Sequence, residues 1–108
     1  MQAERLKILL DFYQQEPQDP FNCYALAMEY LKTAPRTALG YLETLLETHP
    51  DYLPTYYQAA QLLEQTNSQR AELVYEKGLK LAEAQKNSKI FQELQRALRN
   101  FQDDLADD

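Results

Sequence analysis

Tryptophan is absent from the 108 residues, glycine occurs twice, and cysteine and histidine occur once each. Each shortage excludes something. Two glycines cannot build a glycine-rich phosphate loop, and Gly40 and Gly78 both fall inside stretches with helical patterning. A lone Cys23 rules out an intrachain disulfide and is compatible with a reducing compartment. No apolar run approaches the roughly 20 residues that a membrane-spanning helix needs, and the N-terminus lacks the apolar stretch of a secretory signal. The chain therefore reads as soluble and cytoplasmic, with no membrane partner. Positive charge is also short: 11 Lys and Arg stand against 17 Asp and Glu, a net charge of −6. A nucleic-acid backbone is gripped by clustered cations, so nucleic acid is excluded as a partner. Part of the acidity is local to Asp103-Asp104-Leu105-Ala106-Asp107-Asp108, which reads as a solvated terminus.

Leu, Ala, Glu and Gln are plentiful, which favours helix over turn-rich β structure. A step of 33 residues then organises the chain: Pro17 falls on Pro50, Tyr24 on Tyr57, Ala27 on Ala60 and Thr33 on Thr66. The same step places Ala38 on Ala71, Glu43 on Glu76 and Leu46 on Leu79. A fixed period of about 20 to 50 residues marks a repeat array, in which one supersecondary unit recurs.

Hydrophobic spacing and start and stop residues divide this single domain into about six helices. Residues 2–15 form a half-repeat helix with Leu6, Leu9, Leu10, Phe12 and Tyr13 on one face, ended by Glu16-Pro17. The first repeat spans 20–48. Its first helix, 20–32, starts at Asp19-Pro20 and buries Cys23, Leu26, Ala27 and Tyr30. Its second, 35–48, starts at Pro35 and has Ala38, Leu39, Tyr41, Leu42, Leu45 and Leu46 inside. The second repeat spans 54–84, broken at Thr66-Asn67-Ser68, with Tyr56, Ala59, Ala60 and Leu63, then Ala71, Val74, Tyr75, Gly78 and Leu79 inward. Residues 88–105 form a capping helix with Phe91, Leu94, Leu98, Phe101 and Leu105 on one side. Short turns make neighbours antiparallel.

These residues resemble the tetratricopeptide repeat (TPR) family, in the form of a small bacterial-type domain. The family pattern is a large residue, a Leu-Gly pair and Tyr in the first helix, then Ala, a large residue, Ala and a closing Pro. The first copy offers Cys23, Leu26-Ala27, Tyr30, Ala38, Leu42, Leu45 and Pro50. The second offers Tyr56, Ala59-Ala60, Leu63, Ala71, Tyr75 and Gly78. Small residues stand where paired helices must approach and aromatics fill the gaps. Departures are the missing tryptophan, Leu45 in place of a small residue, Glu83 where the closing proline would recur, and one residue fewer at each internal turn. The resemblance implies an all-α fold, a right-handed α-solenoid of antiparallel helix pairs. It also implies a non-catalytic scaffold that binds protein or peptide partners.

No catalytic constellation, metal-ligand cluster or cofactor motif competes with that reading. His49 precedes a helix-breaking proline and reads as a turn residue near a helix C-terminus; Cys23 reads as a buried structural thiol. In the TPR fold the first helix of each pair lines a concave groove. Helix geometry puts Phe21, Tyr24, Met28 and Leu31 opposite the core face of the first such helix, and Pro54, Tyr57, Gln61, Glu64 and Gln65 opposite that of the next. The capping helix likewise turns Lys89, Gln92, Arg96 and Arg99 away from its core. Exposed aromatics on a groove are typical peptide anchors, although the same side chains could equally pack among neighbouring helices. The three cations suit a carboxylate-bearing segment, or else pair with Asp103 and Asp104. The Lys/Asn/Arg carboxylate clamp of some family members is not reproduced. Two functions follow: an adaptor binding a peptide in the groove, and a homo-oligomerisation module, a homodimer, pairing through the groove or an open end of the stack.

Overall fold

The computed structural model describes residues 2–107. Six helices follow one another: α1 (Gln2–Gln15), α2 (Pro20–Tyr30), α3 (Pro35–Thr48), α4 (Pro54–Leu63), α5 (Ser68–Ala84) and α6 (Ser88–Ala106). Among the described residues there is no strand. Side chains cap several of the helix starts. Asp19 accepts from the Phe21 amide at 3.0 Å, Asn67 from Arg70 at 3.1 Å and Asn87 from Ile90 at 3.1 Å, each satisfying one of the orphan donors of a helix N-terminus. Pro20 and Pro35 sit in the first turns of α2 and α3, where a missing N–H costs nothing. Helices α2 and α4 end two residues before the expected Lys32 and Gln65. The chain tightens there through i→i+3 bonds, Leu31 to Met28 at 3.3 Å and Thr66 to Leu63 at 3.1 Å.

The chain divides into two compact units, Met1–Thr55 and Tyr56–Asp108. In the first, α1 packs on α2 and α2 on α3. Its buried residues include Cys23, Leu26, Ala27, Ala38, Leu42, Leu45 and Leu53. A ladder of rings joins the three helices: Tyr30 stacks on Tyr41 at 5.9 Å and 12°, and Tyr13 meets Tyr41 edge-on at 5.9 Å and 87°. Ring packing of this kind adds about 0.5–1.5 kcal/mol beyond the area buried. Tyr30, expected in the core, is only half-buried, with one ring face stacked on Tyr41. Polar links complete the unit. Arg5 pairs with Glu29 at 3.1 Å, and Asn22 Nδ2 donates to the carbonyls of Phe12 at 3.3 Å and Glu16 at 3.1 Å, covering the free C-terminal end of α1.

His49 is a clasp between turns. In its Nε2–H form it donates to the Gln18 carbonyl at 2.9 Å, and its Nδ1 lies 3.0 Å from Thr48 Oγ1. The Cys23 thiol is buried and donates to the Tyr41 carbonyl at 3.4 Å; burial pushes it above its ordinary titration range.

In the second unit α4, α5 and α6 surround Tyr56, Ala60, Leu63, Val74, Tyr75, Leu94, Leu98 and Phe101, all buried. At Gly78 α5 lies tight against α4 and α6, since a Cβ there would stand 2.8 Å from Tyr56 Cβ and 3.1 Å from Leu94 Cδ1. The turn from α5 to α6 passes through Lys86, whose φ of 58° is left-handed, and Asn87 returns its amide to the Ala82 carbonyl at 2.9 Å.

Two expectations about helix faces are corrected. Phe12 is 52% exposed and Leu105 is 46% exposed. Phe12 and Ile8, the latter 53% exposed, lie one turn apart on the outer edge of α1. Leu105 falls in the last turn of α6, after the buried Phe101 has ended the core stripe.

Candidate functional site

Positions 57, 61 and 64 are spaced by four and three, so they share one stripe of α4; positions 93, 97, 100 and 104 do the same on α6. In the second unit these stripes face each other across a cleft of about 200 Å³. Tyr57, Gln61 and Glu64 form one wall, and Glu93, Arg96, Ala97, Asn100 and Asp104 the other, with Phe101 between. Its charge is acidic, three carboxylates against one guanidinium.

Beneath the α4 wall lies Tyr75, buried on α5. Its hydroxyl donates to Glu64 Oε2 at 2.5 Å and accepts from Gln61 Nε2 at 3.1 Å. Burial, and then the bond to Glu64, push the Tyr75 phenol far above its ordinary range. The phenol therefore stays neutral and acts as a fixed donor. It holds two cleft side chains in place without lining the cleft itself, as a buried hydrogen-bonding group fixes its partners.

The expected binding residues fall on two surfaces of this unit and one of the other. Tyr57, Gln61, Glu64 and Arg96 are brought together in the cleft. Gln92, Arg96 and Arg99 line a second concavity of about 320 Å³ with Gln95 and Asn100. Lys89 is exposed near the start of α6. Neither Asp103 nor Asp104 forms a salt bridge with these cations among the described residues. In the first unit Phe21 is 60% exposed, while Tyr24, Met28 and Leu31 are half-buried. Tyr24 meets Tyr52 edge-on at 5.7 Å and 65°, so part of its ring serves packing.

Glu93, Asn100 and Asp104 were not among the expected residues. On α6 they sit between the buried stripe and the face opposite it, at the flank a helical wheel assigns to neither. The signal was their own spacing of seven and four along one line. Tyr75 was legible as core but not as a hydrogen-bonding group. No group of three or more metal-ligating side chains occurs among the described residues, and none of their helices is long and apolar enough to cross a membrane.

Neither the protein-family profiles nor the curated proteins contain a match. Solved structures do. A solution NMR structure of a tetratricopeptide repeat domain protein from Salinibacter ruber is 39% identical, with a TM-score of 0.72, over 79% of this chain and 88% of that one. A crystal structure of a tetratricopeptide repeat domain protein from the same organism is 38% identical, with a TM-score of 0.73, over 78% of this chain and 96% of that one. Identity at this level over most of both chains joins the helix order, the packing glycine and the 33-residue step in one conclusion: the chain belongs to the tetratricopeptide repeat family, an all-α helical-repeat solenoid.

Proposed function

We propose that this helical-repeat interaction module is a non-catalytic adaptor that binds a peptide segment of a partner protein. The binding surfaces are the exposed face of α2, carrying Phe21, Tyr24, Met28 and Leu31, and the α4–α6 cleft with its neighbouring Lys89, Gln92 and Arg99. One observation carries the reading: Tyr57, Gln61 and Glu64 line a single cleft with Arg96, and a buried phenol fixes two of them. A half-buried tyrosine beside oriented polar groups has the composition of a peptide anchor point. The proposed setting is the cytoplasm, where Cys23 as a free thiol is at home. The test is display of a random 12-residue peptide library on the immobilised full chain. Enrichment of a sequence family that wild type retains and Tyr57→Ala loses supports the reading; no enrichment contradicts it.

A second reading, self-association, is favoured by the exposure of Ile8 and Phe12 on α1. Light scattering then reports twice 12.7 kDa at micromolar concentration, and Phe12→Ser restores the monomer. A monomer across the whole concentration range removes this reading.

A further inference from the structure

We infer that the α4–α6 cleft is a receptor for one cationic side chain, a Lys or Arg of the partner segment. The inference rests on the peptide-binding reading above and names which residue type the cleft selects. Size is the first argument. About 200 Å³ lies below the roughly 300–1,000 Å³ usual for a small-molecule site, and it suits a single long side chain.

Charge is the second argument. Glu64, Glu93 and Asp104 come from both walls, so a cation entering the cleft is met by carboxylates on either side. Glu93 and Asp104 have no ion-pair partner among the described residues. Glu64 spends Oε2 on the Tyr75 hydroxyl and keeps Oε1 to accept. The one cation of the lining, Arg96, balances one of the three carboxylates and leaves the cleft an excess of negative charge for a second cation.

The third argument is the ring of Tyr57. Tyr57 is half-buried at the wall and offers ring surface to the apolar stem or to the charged head. An acidic residue in the same place would meet three carboxylates, so the preference for a carboxylate, if the partner has one, belongs to the Gln92–Arg96–Arg99 surface and not to the cleft. A neutral amide fits the volume but leaves the carboxylates uncompensated.

Two measurements on the full chain separate this inference from the reading beneath it. Amide NMR titration uses N-acetyl-arginine amide, with N-acetyl-glutamine amide and N-acetyl-glutamate as controls. The arginine probe is expected to shift the amides of Tyr57, Gln61, Glu93, Asn100 and Asp104, and the controls to leave them in place. The Glu93→Gln/Asp104→Asn double variant, checked for native spectral dispersion, should weaken the arginine probe about tenfold. Glu47→Gln in the other unit should not. The peptide library is then scored for Lys and Arg. Captured peptides without basic enrichment, together with an unshifted cleft, overturn the inference and leave peptide binding standing. Cleft shifts specific to arginine without any captured peptide uphold the cleft's selectivity and overturn peptide binding. Equal shifts with all three probes overturn the inference.

Discussion

The Tyr75 hydroxyl reaches Glu64 Oε2 at 2.5 Å while accepting from Gln61 Nε2 at 3.1 Å, so one buried phenol ties the core of the second unit to the wall of its cleft. Replacing Tyr75 with Phe keeps the ring and its 6.3 Å contact with Phe101 but frees both wall residues. A stability loss of about 1–2 kcal/mol in urea denaturation is expected. Weaker peptide binding should accompany it, because Glu64 and Gln61 lose their fixed positions.

The same residue sets an alkaline limit. An acid whose folded-state pKa is raised is more protonated folded than unfolded once pH passes its ordinary value, so stability falls as pH rises. Tyr75, Tyr41 and Tyr52 are all raised above 10.0, and Cys23 above 9.0, each chiefly by burial. Their contribution is complete below pH 9 and declines above it. Melting curves from pH 8 to 11 should show that decline in wild type and a shallower one in Tyr75→Phe.

The two glycines should respond oppositely to alanine. At Gly40 an added Cβ meets nothing within 4 Å, so Gly40→Ala should gain about 0.5–1 kcal/mol from helix propensity. At Gly78 the Cβ would be 2.8 Å from Tyr56 Cβ, an atom fixed to backbone that cannot swing aside. Gly78→Ala should therefore lose about 1–3 kcal/mol despite the better propensity. Thermal unfolding of both variants decides it, and equal effects would contradict the close α4–α5 approach.

Thr55 is fully buried, and its hydroxyl has no hydrogen-bond partner among the described residues. A buried hydroxyl without a partner costs free energy, so Thr55→Val should stabilise by about 1 kcal/mol. Chemical denaturation measures the change; a loss of stability would mean the hydroxyl is satisfied.

Helix order was legible in the sequence because proline and capping residues punctuate it: Asp19-Pro20, Pro35 and Asn67 each start a helix where expected. Gly78 was legible as a packing position for the same reason that Ala27 and Ala60 were, their place in the repeat. Phe12 and Leu105 were misread because an apolar residue at helical spacing is buried only if another element covers it, and spacing alone does not say where the cover stops. On α4 the face opposite the core gave Tyr57, Gln61 and Glu64, which line one side of the cleft. On α6 it led to Lys89, Gln92, Arg96 and Arg99, of which Arg96 borders the cleft, while Glu93, Asn100 and Asp104 on the flank complete that wall. Which flank of a helix meets its neighbour depends on how the two are rotated, and a single helix's pattern does not contain that angle.

The central claim, that the α4–α6 cleft binds a partner peptide, is tested most directly by calorimetric titration of a library-selected peptide into wild type and Tyr57→Ala. Both should show the same helical circular dichroism. The expected result is an affinity loss of about tenfold or more in Tyr57→Ala, as for an anchor residue removed from a binding surface. An unchanged affinity in a normally folded Tyr57→Ala protein would contradict it.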